Sequence, residues 1–303
     1  MTHLKLPAFS KEYPVSPDTP TSRPVSKPRK PFGPRVVTAA VYAVLILLAI
    51  AVLYPLLWMF TSAMKTSAEI FSNPWALPTS LDFTSFGTAW QQGVVKFVLN
   101  SVLVTVVSLV LTLGISSAAA YGLTKLRMPF AKTATFLLLG ALMVSPTTAL
   151  VPLFQLLQLT GLYDTHLGLI ILYVAYRLPF TIFLIRAYMI TLPADLEDAT
   201  VIDGASRFQA FRLVILPLTK PALISAGLVN VLHTWNEFPF ALIFLNNPAL
   251  KTLPVGLLDL KSAVQTDWPV LFAGLSLAAL PMIIAFVLGQ RHFIRGLADG
   301  IGK

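Results

Sequence analysis

Six apolar runs, each long enough to cross a bilayer, constrain this chain more than any other feature. A helix through the hydrocarbon core needs roughly 20 mostly apolar residues. Runs of that length lie at about 36–60, 97–122, 134–158, 167–190, 222–245 and 270–290. Lipid offers no partner to a backbone N–H or C=O, so segments of this kind must close their hydrogen bonds internally, as helices. The spacing therefore predicts an all-α membrane protein with six transmembrane helices. Composition agrees: 56% of the 303 residues are hydrophobic and 12% are charged, the balance of a polytopic membrane chain. Cysteine is absent, which excludes a disulfide framework, a thiolate nucleophile and a cysteine metal site.

The net charge of +9 is large enough for a nucleic-acid binder, but its distribution points elsewhere. The basic residues flank the apolar runs, which is a topology signal, and no nucleic-acid partner is expected. With the N-terminus inside, the inner segments are 1–35, about 123–133, 191–221 and 291–303. They hold 16 Lys and Arg, against 4 outside (Lys65, Lys96, Lys251 and Lys261); Arg177 and Arg186 lie within the fourth run. That bias predicts both termini in the cytoplasm. Residues 1–35 carry eight prolines and seven basic residues and little that could pack. They read as a disordered, Pro-rich basic cytoplasmic tail ahead of a six-span domain at 36–303. Such a tail serves as an orientation signal resting near anionic lipid, or as a regulatory element. It is too long, and the first apolar run too extended, for a signal peptide.

Several chemistries are missing. No G-x-x-x-x-G-K-[ST] run is present, so the chain has no P-loop for ATP. His3, His166, His233 and His292 are scattered, with no H-E-x-x-H spacing and no expected metal site. There is no G-x-S-x-G elbow. The chain is not expected to be an enzyme. An ion-coupled transporter keeps ionisable groups inside the membrane, and here the spans offer only Glu237, His233, Arg177 and Arg186. Arg186 is close enough to a cytoplasmic end to snorkel. That equipment is thin for proton or sodium coupling, which points to an energy source on another chain.

The segment "LEDATVIDGASRFQAFRLVILPL", residues 196–218, is unlike its apolar neighbours. Thr191 and Leu192-Pro193 can start a helix, because proline's missing N–H is unpaired in a first turn anyway. Asp195, Glu197 and Asp198 follow where the helix dipole favours acids. Leu196, Ala199 and Thr200 fall at i, i+3 and i+4, a narrow face of small residues. Gly204 supplies a left-handed stop, and Ser206 can cap a second helix from Arg207 to Leu216. Phe208, Phe211, Leu213 and Ile215 offer apolar contacts there, while Pro217 and Pro221 break the chain before the fifth run. Two readings follow: an amphipathic loop lying on the inner leaflet, or a docking helix for a cytoplasmic partner. The acids disfavour the first, since that leaflet is itself negative.

At these residues the sequence resembles the permeases of ABC importers that depend on a solute-binding protein. Their cytoplasmic loop carries Glu-Ala-Ala, three residues, Gly, nine residues, then Ile-x-Leu-Pro. Here the pattern is Asp198-Ala199-Thr200, three residues, Gly204, nine residues, Val214-Ile215-Leu216-Pro217. Asp stands for Glu, Thr for the second Ala and Val for Ile; Glu197 is one place too early to be the motif acid. "IDGASRFQ" looks like the sugar-importing branch. "TSAMKTSAEIF", "LNSVLV", "AAAYGLTKLRMPF", "GLYDTHLGLIILY", "TWNEFPFALIFL" and "QRHFIRGLADG" are similar to the smaller permease of maltose-type importers, so the resemblance spans roughly 36–303. It implies the type I ABC importer permease fold, a second permease subunit, a cytoplasmic ABC ATPase dimer and an extracytoplasmic solute-binding protein. The permease would need no cofactor of its own, with ATP and Mg on the ATPases. It further implies that loop 191–221 is the coupling element, seated in an ATPase cleft. Asp198 would meet a basic residue there, Ala199 and Thr200 would allow close approach, and Gly204 would set the bend ahead of Leu216 and Pro217. The tail "GLADGIGK" is similar to one that reaches between ATPase subunits; the plain alternative is a frayed basic terminus.

The fifth run contains Asn230, His233, Trp235, Asn236 and Glu237. Asn230, His233 and Glu237 share one helical face at i, i+3 and i+7. Polar groups at that depth face a cavity or another helix. Amides and aromatic groups suit a sugar, so Asn230, His233, Asn236 and Glu237 are candidate path residues, with interhelical polar contacts as the alternative. Trp75 and Trp90 read as interfacial anchors, or as part of a surface for the binding protein. The sequence thus predicts a permease subunit of an ATP-driven importer, for a sugar, oligosaccharide or other polar solute. An ion-coupled secondary transporter is the competing class.

Overall fold

The computed structural model describes residues 34–126, 128–193, 195–202, 204–261 and 266–301, with the side chains of 34–36, 198, 201 and 288–301 left aside. The predicted tail, up to residue 33, and the last two residues of "GLADGIGK" lie outside the described residues.

Among the described residues every regular element is helical. The chain divides into two units, Met1–Val52 and Leu53–Lys303. The first contributes the opening of helix α1 (Pro34–Ser62), where residues 37–52 are exposed on every face. In the second, the long helices are α2 (Val95–Lys125), α3 (Ala131–Leu142), α4 (Leu150–Leu159), α5 (His166–Thr191), α6 (Asp195–Ile202), α7 (Lys220–Trp235) and α8 (Trp268–Ile301). Four stretches suffice to cross a membrane by length and composition: Val37–Ser62, Thr84–Lys125, His166–Thr191 and Trp268–Val287. Two further apolar pairs are bent, Ala131–Leu142 with Pro146–Leu159 by 90° and Arg207–Leu218 with Lys220–Trp235 by 72°. Counted as one span each, they bring the total to six.

The 90° bend interrupts the third run expected from hydropathy, and a separate break after Trp235 interrupts the fifth; both have local causes. Pro146 has no N–H for a preceding carbonyl and forces Ser145 into an extended conformation, ψ 132°, so the helix stops and restarts at a new angle. In the fifth run α7 ends at Trp235, and a separate short helix begins at Pro239. Proline again removes the donor. The Glu237 carboxylate then takes the backbone N–H groups of Phe240 and Ala241 at 2.8 and 3.2 Å, which favours a fresh start over continuation.

The core sits on α5, 61% of whose most apolar window is buried, against 33% for the α2 span and 22% for α8. Its main partner is α2. That helix presents a buried stripe of Ser101, Thr105, Ser108, Thr112, Ser116 and Ala120, small enough for the two backbones to approach. Between apolar helices in lipid there is little hydrophobic drive, so close packing of this kind must supply the association. At one end of this pair, Asn100 donates to the Ala249 and Lys251 carbonyls at 3.0 Å each. The Leu253 N–H donates to Ser101 at 2.7 Å, tying the 246–261 segment to α2. At the other end sits the loop that the sequence singled out.

Candidate functional site

The loop is a braced corner. α6 runs to Ile202, and Gly204 adopts φ +82°, the left-handed region where a side chain is strained. A Cβ there would meet no neighbouring atom, so the requirement for glycine is conformational. The Ala205 N–H closes back on the Thr200 carbonyl at 3.0 Å. Ser206 and Gln209 then form a reciprocal cap: the Gln209 N–H donates to Ser206 Oγ at 3.2 Å, and the Ser206 N–H to Gln209 Oε1 at 2.7 Å. From Arg207 the chain runs as a helical turn, a widened turn at Phe211–Ile215 and a last turn at Leu216–Leu218.

The apolar residues divide between two faces. Ile215, fully buried, packs with Phe211 against Tyr121, Ile185, Met189 and Ala226. Leu196, Ile202, Phe208 and Leu213 face outward. Of the motif positions, Ala199, Gly204 and Pro217 are exposed, while Thr200 and Leu216 are half-buried. The side chain of Asp198 lies outside the described residues. The loop's anchor is therefore Ile215, at the unspecified position of the motif, rather than Leu216.

A second anchor, missed in the sequence, is Glu197. Its side chain is buried, accepts from Tyr121 Oη at 2.8 Å and from Arg207 Nη1 at 3.2 Å, and so joins α2, α6 and the turn after Gly204. The Arg207 side chain is 64% exposed, so that ion pair is the weaker tie. Lys125 adds a bond from Nζ to the Leu192 carbonyl at 3.0 Å. Nothing in the spacing marked Glu197, because its partner is 76 residues away.

The bend of the third span, α5 and the break after α7 line an open cavity of about 430 Å³. That is within the range of small-molecule sites. Its polar lining includes Tyr173, Tyr176, Arg177, His233, Asn236 and Glu237, beside Thr147 and Thr234. Three of the four residues picked from the sequence thus meet at one place. The fourth, Asn230, stands behind the wall. It is buried, accepts from Arg177 Nε at 2.9 Å, and donates to Thr181 Oγ1 at 3.0 Å and the Ala226 carbonyl at 2.8 Å. The shared helical face is broken, since Glu237 lies past the end of α7. Glu237 accepts from Tyr173 Oη at 2.6 Å and from two backbone amides. Hydropathy did not single out Tyr173 and Tyr176, which look like ordinary aromatic packing. Among the described residues no group of three or more His, Cys, Asp or Glu is placed to hold a metal.

Residues 110–299, from mid-α2 through α8, match the family described as the binding-protein-dependent transport system inner membrane component. The chain belongs to this family. The probable ABC transporter permease protein YurM of Bacillus subtilis is 45% identical over 87% of this chain and 88% of its own length. The diacetylchitobiose uptake system permease protein NgcG of Streptomyces coelicolor is 33% identical, over 86% and 87% respectively. A crystal structure of a bacterial ABC transporter involved in import of the acidic polysaccharide alginate superposes with a TM-score of 0.77. It covers 86% of this chain and 97% of that one at 24% identity, which establishes the shared fold. The protein is accordingly an integral, multi-pass membrane permease of a binding-protein-dependent ABC importer, a non-catalytic subunit.

Proposed function

We propose that this permease forms one half of the path of an ATP-driven sugar or oligosaccharide importer, with six spans, both termini in the cytoplasm, and loop 191–221 as its coupling element. The observation that carries the reading is the loop's construction. A rigid corner is fastened to α2 and α5 by Ile215, Tyr121 and Glu197, and turns small and apolar side chains outward. A flexible surface loop would have no use for such bracing; an element that transmits force does. Ala199 and Thr200 would let an ATPase cleft approach closely, Asp198 would offer it an acid, and Gly204 would hold the corner. Leu216 and Pro217 would end the brace where the chain turns into α7. ATP and Mg belong to the paired ATPases, which would pull the loop as they close, while a second permease and a solute-binding protein complete the path. The uptake systems named for relatives, such as that of diacetylchitobiose, support a sugar, with His233, Asn236 and Glu237 at the cavity wall and Asn230 behind it. Glu237, held by three donors, is poorly suited to shuttling a coupling proton, which weighs against ion-driven transport.

The test is co-expression with the partner permease, ATPases and binding protein, comparing the native chain with Gly204→Asp. The variant is expected to insert and pair with the second permease. It should lose bound ATPase, or the hydrolysis stimulated by loaded binding protein. Native levels of assembly, hydrolysis and uptake would refute the coupling role.

A further inference from the structure

The cavity's polar wall does not balance at Arg177. This residue sits in the middle of α5 and is 9% exposed. Its Nε donates to Asn230 Oδ1 at 2.9 Å, and its guanidinium lies 5.1 Å from the centre of the Phe180 ring. Among the described residues neither terminal nitrogen has an acceptor, Nη2 being wholly buried, and no carboxylate lies within ion-pair distance. The carboxylate that shares the cavity, Glu237, is already satisfied by Tyr173 and two backbone amides. Asn230 cannot swing to help, because both ends of its amide are engaged. A positive charge is therefore held at membrane depth, locked in orientation and half-satisfied.

Such a charge is expensive and is retained where it serves a ligand or a pathway. With Nε taken by Asn230 and Nη2 buried, the guanidinium still lacks a counter-charge, and a charge-assisted bond to a carboxylate is roughly twice as strong as one to a neutral hydroxyl. The neighbouring groups suit the rest of a sugar: Tyr176, 41% exposed, offers aromatic surface, while His233 and Asn236 add polar groups. We propose that the solute is an acidic sugar, and that its carboxylate docks on Nη1 of Arg177, the terminal nitrogen that is not sealed off and has no acceptor of its own. This inference rests on the sugar-importer reading and specifies the substrate class within it.

The experiment uses the complete membrane complex of both permeases and ATPases, without the binding protein, so that selectivity belongs to the path alone. It is titrated with digalacturonate and with the uncharged disaccharide galactobiose, and binding is followed by saturation-transfer NMR. In the native complex digalacturonate should half-saturate at a concentration lower by about tenfold or more, as a charged bond replaces a neutral one. Arg177→Gln should abolish that preference, the two sugars then half-saturating at similar concentrations, and Arg177→Lys should keep part of it. The comparison in the native complex needs no variant, and galactobiose binding reports whether each variant folds. Equal affinity for the two sugars in the native complex overturns the proposal. So does a preference that survives Arg177→Gln, or failure of both sugars to bind. If loaded binding protein still stimulates hydrolysis while the acid preference is absent, the importer reading stands and only the substrate class falls.

Discussion

Replacing Tyr121 by phenylalanine removes one oxygen and tests how the loop is held. The ring itself stays packed on Phe211, whose centroid is 4.9 Å away, so no cavity opens and the loss is confined to hydrogen bonding. Glu197, 6% exposed, keeps only Arg207 Nη1 at 3.2 Å. That arm is mostly in solvent, and such a pair contributes about 0–1 kcal/mol. Removing a neutral donor from a buried carboxylate costs about 1.5–3 kcal/mol, or roughly 10- to 150-fold in the equilibrium for local opening. Glu197→Gln keeps an acceptor for Tyr121 while losing the charge, so it should cost nearer 1 kcal/mol, about fivefold. Hydrogen exchange of the 196–210 amides in the purified complex measures both, with α5 amides as the internal reference. Tyr121→Phe should speed exchange in the loop and leave α5 unchanged. A change under about threefold in the loop, or a larger effect from Glu197→Gln than from Tyr121→Phe, would refute the bracing role given to this bond.

Three other outcomes are expected. Gly168→Ala should lower the melting temperature of the complex, by about 1–3 kcal/mol of overpacking. An added Cβ would press on the backbone carbonyl of Leu162, which cannot swing aside; an unchanged melting temperature would refute the close approach. Glu237→Ala should destabilise more than Glu237→Gln in a thermal unfolding comparison. Alanine orphans Tyr173 Oη and two backbone N–H groups, each worth about 1–3 kcal/mol when buried, whereas glutamine keeps an acceptor. Equal effects of the two would show that the cap is unimportant. Near α1, the Thr66 backbone N–H and the Thr79 hydroxyl hold the Glu69 carboxyl below its ordinary value of 4.5. A carboxyl lowered on folding adds stability above its unfolded value, and that contribution is lost as pH falls through the folded one. Glu69→Gln should therefore differ most from the native protein near neutral pH and converge with it below 4.5; a gap that widens in acid would contradict the assignment.

Hydropathy located the long apolar helices because lipid imposes one rule on every residue of a crossing helix. It could not say which would bend. Pro55, Pro179 and Pro281 lie inside continuous helices, whereas Pro146 and Pro239 begin new ones. The difference lies in what accompanies each proline, such as Glu237 taking the amides after Pro239, and that is tertiary information. The loop's corner was legible at Gly204 and Ser206 because caps and left-handed turns are local devices. The inward roles of Ile215 and Glu197 were not, since Tyr121 reaches them from the far end of α2. Arg177 was visible as a charge inside a span. Its missing partners became apparent only when Asn230 and Glu237 were seen to be occupied, one behind it and the other beyond the end of α7.

The 72° corner between Arg207–Leu218 and α7 has a mechanical consequence. The outer arm is twelve residues long, close to 18 Å at 1.5 Å per residue. Turning it by about 10° about Thr219 would sweep its tip through roughly 3 Å, about one atomic diameter. Gearing also works in reverse. A displacement of that size imposed at the tip would load the packing of Ile215 as well as the root of the helix bearing Asn230 and His233. Thr219, fully buried with its hydroxyl bonded to the Ile215 carbonyl at 2.7 Å, is where such a turn would be taken up.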